Sequence, residues 1–346
     1  MSIFLKVKLK LHKLGNWEYW PVWLVYLPCF FVYPFYALRC RSMMFFTAAN
    51  PNIPYSGAFM TSKKEIYDKL PAELIPFTLF IDEHSKFQNC QQFMSDNRID
   101  YPVILKPDLG LRGLGIKTIH NETDLCDFVE SNRQSYLLQE FVDFDQEIGV
   151  FVIRNEKGQL EISSIVVREF MTVVGNGKRS LRELVESNPR YAMQLKNLDT
   201  QSHLDLSMVL SQGEQYEFAK IGNHSLGTIF RNGMSINSDR LLAMIRSTLA
   251  ENDSFNYGRL DIKYRNLEEL YLGKQFKIIE LNGVFSEPAH IYDPEFGLFA
   301  AWKVLLAHFK KLYQISLRSI KAGNQPLSFI MGLKKMKEQF KFMGSF

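Results

Sequence analysis

A chain of 346 residues has room for two or three small domains, and with 41 Lys and Arg against 37 Asp and Glu its net charge is only +4. That balance excludes the broad basic surface of a nucleic-acid binder, so no nucleic-acid partner is expected. Cys29, Cys40, Cys90 and Cys126 form no CxxC pair, which excludes a zinc ribbon and a dense disulfide framework and suits a reducing cytoplasm.

The chain opens with Lys6, Lys8, Lys10 and Lys13, followed by an aromatic, uncharged run over residues 19–38 and then Arg39 and Arg41. The run is long enough to span a bilayer, but Pro21, Pro28 and Pro34 work against a straight span and the basic flanks favour the cytoplasmic side at both ends. Residues 1–61 are therefore expected to be a membrane-associated segment, peripheral or re-entrant at the inner face of the cytoplasmic membrane. The competing expectation is an aromatic core segment. No small-residue cleavage site follows the run, which argues against a signal peptide.

From residue 62 to about 300 short β-rich runs alternate with helical patterns, the mark of layered α/β or α+β folds. Strands are predicted over 102–106, 116–119, 136–142, 148–154, 162–168, 259–264 and 276–281. Helices are predicted after Asn121, which is spaced with Asp124 as a capping pair, and after Ser180. Lys106 leaves the first of these strands into a loop with Gly110, Gly113 and Gly115, and another strand follows. A dinucleotide or P-loop motif would run from its glycines into a helix. Two strands joined by a glycine loop instead make a flap whose amides can approach phosphates, with Lys106 supplying charge.

Further on, Asp261 lies on one predicted strand and Glu280 and Asn282, two apart, share a face of another. Three oxygen donors on neighbouring strands suit Mg²⁺ when nucleotide phosphates and waters complete its octahedron. Arg259 shares the face of Asp261 and can neutralise a transferring phosphate. Loop residues His224, Arg231, Glu287, His290 and Tyr292 are candidates for reading a polar substrate. Residues 301–346 read as a basic amphipathic helical region, docked either on the core or on a membrane surface.

Taken together these motifs resemble the ATP-grasp carboxylate–amine ligases, such as D-alanine:D-alanine ligase, glutathione synthetase and cyanophycin synthetase. The resemblance covers roughly residues 62–294. It implies an α+β ATP-grasp fold in which two lobes, about 100–140 with the flap and about 141–300 with the metal ligands, clamp ATP. The short aromatic segment stands in place of the family's usual preceding domain. By the same resemblance Lys106 and Lys64, or its neighbour Lys63, meet ATP phosphates, and the stretch with Gly110, Arg112, Gly113 and Gly115 is the flap. Glu140, Phe141 and Val142 resemble the adenine hinge, and Glu147 the ribose ligand. Asp261, Glu280 and Asn282 match magnesium ligands, and Arg259 with Lys106 carries the catalytic role. Residues 173–190 are similar to a "GDGK…EL" segment, with Asn176 where that branch has Asp.

The implied reaction uses ATP with two Mg²⁺, Mn²⁺ being the alternative ion. It activates a carboxylate as an acyl phosphate and joins it to an amine, forming a C–N bond between small-molecule or lipid-linked substrates. A kinase of the same fold and a non-catalytic nucleotide-binding protein are the alternatives.

Overall fold

The computed structural model describes residues 3–110, 114–199, 204–218, 227–250, 252 and 254–343. The amino-terminal segment forms α1 (Ile3–Gly15), α2 (Val22–Val25) and α3 (Leu27–Cys40), and α4 (Lys63–Tyr67) leads into the body. β1 (Thr78–Ile81), α5 (Phe87–Asn97), β2 (Val103–Pro107), β3 (Lys117–Ile119), α6 (Glu122–Ser131) and β4 (Tyr136–Glu140) follow. Next come β5 (Gln146–Arg154), β6 (Leu160–Glu169), β7 (Thr172–Val174), α7 (Leu181–Ser187), α8 (Pro189–Ala192), α9 (Leu195–Leu198), β8 (Gln215–Glu217), β9 (Ile229–Asn232) and α10 (Asp239–Thr248). The chain continues through β10 (Tyr257–Tyr264), α11 (Leu267–Tyr271), β11 (Phe276–Asn282), α12 (Leu298–Lys321) and α13 (Phe329–Met343).

Two antiparallel sheets dominate. The smaller has the order β1-β4-β2-β3 and the larger β11-β10-β5-β6-β9. In the smaller sheet α5 and α6 close one face, where Cys90, Met94, Leu125 and Val129 pack on Val103, Leu105 and Leu138. The predicted cap holds α6 in place: Asn121 Oδ1 accepts from the Asp124 amide at 2.9 Å. β2 and β3 are the antiparallel pair expected of a flap, with Leu105 opposite Lys117. α7 carries the full capping box of Ser180 and Glu183.

In the larger sheet strict alternation sorts the side chains. Ile148, Val150, Leu260, Ile262 and Ile278 face one core with Leu241 and Ile245 of α10. Their neighbours Glu147, Gly149, Asp261, Arg259 and Lys263 therefore face the other side. One register shift completes the arrangement. Asp261 pairs with Glu280 while Ile262 pairs with Ile278, so Ile279 is an extra, bulged residue. Without that bulge Glu280 and Asn282 would point to the opposite face from Asp261.

At its far end this polar face turns apolar. Phe151, Ile153 and Tyr257 pack there against Ala37, Cys40, Phe45, Leu312 and Ile315. The expected aromatic membrane segment thus folds as two short helices whose inner side is core. Tyr36 stacks on Tyr313 at 4.3 Å, and Trp302 Nε1 donates to the Val25 carbonyl at 3.0 Å. No helix among the described residues is long and apolar enough to cross a membrane. The interrupted helix packs its inner side on α12. Of the basic carboxyl-terminal region, α12 docks on the body through Leu305, Leu312 and Ile315, whereas most of α13 is exposed.

Candidate active site between the two sheets

The polar face of the larger sheet looks toward the smaller one, and the two meet at the β11 bulge. The bulged Ile279 carbonyl accepts from Tyr67 Oη at 2.6 Å and from Lys106 Nζ at 3.5 Å. Burial pushes Lys106 down to about 8 against the pull of Glu280. A strand lysine with a lowered pKa between two sheets is a functional candidate. Lys63 joins it: its Nζ donates to the Pro107 carbonyl at 2.8 Å, and burial lowers its pKa although Glu280 and Asp108 oppose. A cavity of about 60 Å³ opens here, lined among others by Lys63, Gly110, Glu280 and Asn282. Lys64, the residue expected to reach ATP, points outward and pairs with Asp68 at 2.7 Å. Its neighbour Lys63 turns inward and lines the cavity instead.

Beside Glu280 lies a buried charge cluster. Arg259 Nε reaches Asp261 Oδ1 at 2.7 Å and its Nη2 reaches Oδ2 at 3.0 Å. Arg168 bridges Asp261, at 2.8 Å, and Glu147. Burial alone would raise Asp261, but the two guanidiniums outweigh it and hold the carboxyl at about 2. Asn282 Nδ2 turns toward Asp261 Oδ2 at 3.3 Å, which leaves its carbonyl oxygen directed elsewhere. Gly149 sits beneath the cluster because there is no room for a side chain: a Cβ there would lie 3.0 Å from Asp261 Oδ1.

Glu280 and Asn282 share a face, as expected, and the bulge brings Asp261 onto it as well, with Arg259 beside them. Glu280 and Asn282 offer a carboxylate and an amide oxygen of the hard type that Mg²⁺ prefers. Asp261 is the neighbouring third donor, its charge already shared with two arginines. Among the described residues no group of three His, Cys, Asp or Glu is gathered as a complete metal cage. An ion held by Glu280 and Asn282 would take its remaining ligands from phosphate and water.

Glu147, expected at a ribose, is almost fully buried as the partner of Arg168, and its Oε2 has no hydrogen-bond partner among the described residues. Glu140 ends β4 and lies 3.8 Å from Lys277. Phe141 and Val142 follow in the link to β5, where Lys263 Nζ donates to the Val142 carbonyl at 3.2 Å and sits over the Phe141 ring. Gly115 adopts φ +74° in the flap loop, a left-handed conformation that suits glycine. Arg112, Gly113 and His224 lie outside the described residues.

Two of the proposed substrate residues come to the cluster. Arg259 Nη1 donates to the Glu287 carbonyl at 3.4 Å, and Tyr292 Oη donates to Glu287 Oε1 at 3.1 Å. His290 is buried instead, its Nδ1 2.6 Å from Ser164 Oγ, and burial lowers its pKa. Arg231 is paired with Val167 in register, on the face away from Arg168, and bonds Glu169 at 3.0 Å. The structure does not bring it to the site.

Arg168, Lys263 and Tyr26 were not foreseen. Lys263 could have been found, since it stands two residues after Asp261 on the same face. Arg168 carries a weaker signal, a cation at the end of an apolar strand. Tyr26 carries none: burial raises its pKa, and the charge of Glu287 and a hydrogen bond to it add to the rise, so the amino-terminal segment contributes to the edge of the site.

Residues 68–173 match the family model of the ATP-grasp domain. N5-carboxyaminoimidazole ribonucleotide synthase from Synechocystis sp. is 32% identical over 68 residues, which is 19% of this chain and 18% of that protein. The matched stretch is thus under a fifth of that relative's length. Among solved structures, D-alanine–D-alanine ligase from Bacillus anthracis aligns with TM-score 0.45 and 12% identity, over 78% of this chain and 72% of that one. A bifunctional glutathione synthetase from Pasteurella multocida aligns with TM-score 0.42 and 15% identity, over 77% of this chain and 38% of that one. The family-model match, together with the α+β architecture of antiparallel sheets and helices, assigns the ATP-grasp fold.

Proposed function

We propose that this chain, which carries an ATP-grasp domain, is an ATP- and Mg²⁺-dependent ligase that activates a carboxylate and joins it to an amine. The observation that carries this reading is the convergence of Lys106, Lys63, Arg259, Glu280 and Asn282 between the two sheets. In the reaction a substrate carboxylate oxygen attacks the γ-phosphorus of ATP and the bond to the ADP oxygen breaks. The amine then attacks the acyl carbon, phosphate leaves with the electron pair, and the nitrogen loses a proton.

No side-chain nucleophile is needed. The chain's task is to align two anions and neutralise their repulsion. Lys106 from the smaller sheet and Lys63 from α4 face the phosphates, and Arg259 stands beside the transferring group, where charge grows. Glu280, Asn282 and Asp261 would hold Mg²⁺, which when bound screens the phosphate charge. Two such ions, or Mn²⁺ in their place, suit the same donors. Glu287 and Tyr292 beside Arg259 form the edge from which the amine approaches. The acid and the amine are small molecules or lipid-linked, and the four free cysteines fit a cytoplasmic site.

The test is Mg²⁺-dependent ADP release across pools of carboxylic acids with hydroxylamine as the amine. An acyl hydroxamate, absent with Glu280→Gln, is the expected result. ADP release without hydroxamate would make the protein a kinase. ATP binding with no ADP release from any pool would make it a nucleotide-binding protein.

A further inference from the structure

The amino- and carboxyl-terminal helices leave apolar stripes uncovered that the active site does not use. α1 buries Leu5 and Leu9 against Leu181, Val185 and Leu195. Its opposite side exposes Val7, Leu11 and Leu14, at the i, i+4, i+7 spacing of a single helical stripe, and Leu11 is 63% exposed. Lys6, Lys10 and Lys13 border that stripe on one side and Lys8 on the other. Through α2 and α3 a second stripe runs outward from Trp23 and Leu27 to Phe31, Phe35 and Leu38, with Phe31 78% and Leu38 77% exposed. α13 shows the pattern again in Phe329, Leu333, Met336 and Phe340, bordered by Lys334, Lys337 and Lys341, and Ile330 beside them is 81% exposed. α13 is held beside the segment that follows α3: Gly332 abuts the buried Met44, and Lys335 lies over the Tyr55 ring at 5.6 Å.

The charges are as one-sided as the apolar residues. Residues 1–61 contain six Lys and Arg and a single acid, Glu18. That acid is buried against Arg190 and does not reach the surface. α13 carries four lysines and one acid, Glu338, which bonds Lys335. Exposed aromatic and aliphatic residues between rows of lysine, with almost no surface carboxylate, match an anionic lipid interface in both its apolar and its polar layer. A protein partner would need a large acidic face to satisfy the same lysines.

We infer that α1, α2–α3 and α13 form a platform that docks the protein on anionic lipid bilayers without crossing them. The inference goes beyond the proposed ligase activity and does not depend on it. The test is co-sedimentation of the full chain with vesicles of phosphatidylcholine alone or with added phosphatidylglycerol. Size-exclusion light scattering runs alongside. Two surface variants, Phe31→Ser with Leu38→Ser and Lys6→Glu with Lys10→Glu and Lys13→Glu, are compared with the wild type at matched melting temperature. Expected are binding only to anionic vesicles, weakening with salt, and a loss of at least about tenfold in partitioning for each variant. Failure to bind, or equal binding to both vesicle types, would overturn the inference. A stable dimer that Phe31→Ser with Leu38→Ser dissociates, without vesicle binding, would assign the surface to a second copy instead.

Discussion

Gly149→Ala adds one methyl group at the centre of the site and tests whether the charge cluster is set by packing. The new Cβ would lie 2.8 Å from Val166 Cγ1, 3.0 Å from Arg259 Cδ and 3.0 Å from Asp261 Oδ1. Ordinary contacts are about 3.5–4.0 Å, so each neighbour must retreat by roughly 0.5–1 Å. Retreat of Asp261 stretches its 2.7 Å bond to Arg259 Nε past the useful limit of about 3.2 Å. The overpacking is expected to cost about 1–3 kcal/mol of stability. The site should suffer more, since a misplacement of about 1 Å near reacting groups lowers rate by about a hundredfold.

The assay pairs thermal unfolding with the stabilisation produced by MgATP, using Gly297→Ala as control because nothing lies within 4 Å of a Cβ there. Adding Val166→Ala to Gly149→Ala removes the 2.8 Å contact and should recover stability, while the contacts to Arg259 and Asp261 keep the nucleotide response low. If Gly149→Ala matches Gly297→Ala in both melting temperature and MgATP response, the cluster is not held by packing and the reasoning fails.

Two pH-dependent outcomes follow from buried bases. Lys106 is lowered to about 8 by burial, so it gains charge as pH falls through 8, where its unfolded counterpart, with a pKa near 10.5, is already charged. Isotope-edited NMR of methylated lysines should show one resonance titrating near 8 that moves upward when MgATP brings phosphate to it; a resonance fixed near 10.5 in both states would remove Lys106 from the cleft. His308 is buried, and burial lowers it to about 4. Because its folded pKa lies below the unfolded value of 6.5, stability should fall as pH drops from 6.5 toward 4, by on the order of 3 kcal/mol. Denaturant unfolding of His308→Leu should lack that component of the slope, and an unchanged slope would assign it to other groups.

The parts of the fold that were legible in the sequence are those whose signal is local. The caps at Asn121 and Ser180 formed because side chain and backbone three residues apart decide them. The strands bearing Lys106 and Asp261 followed from alternation. What was not legible depends on register or on distant contacts. The Ile279 bulge is what puts Glu280 opposite Asp261, yet period-two reading within β11 alone says nothing of the neighbouring strand. Lys63 and Lys64 are adjacent, and their order was decided by the Asp108 turn, whose carboxylate accepts from the Lys64 amide at 3.0 Å while Lys63 turns inward. Arg231 stands on a strand pattern like Arg168's, but an edge-strand register sends it to the other face.

The aromatic segment shows how one run of sequence can serve two surfaces. Composition alone made residues 19–38 look like a single hydrophobic object. The fold divides it by helical phase: Cys29, Tyr33, Tyr36, Ala37 and Cys40 turn to α12 and the sheet, while Phe31, Phe35 and Leu38 turn away. Its inner side also reaches the site through Tyr26 at Glu287, and farther along the chain the Gly57 backbone meets Gly283 so closely that a Cβ on Gly57 would lie 2.8 Å from the Gly283 Cα. Gly283 directly follows Asn282, so the turn at Gly57 buttresses the end of β11. The outward stripe belongs to the proposed lipid platform, while the inward side of the same helices lies beside the edge where the amine is proposed to approach.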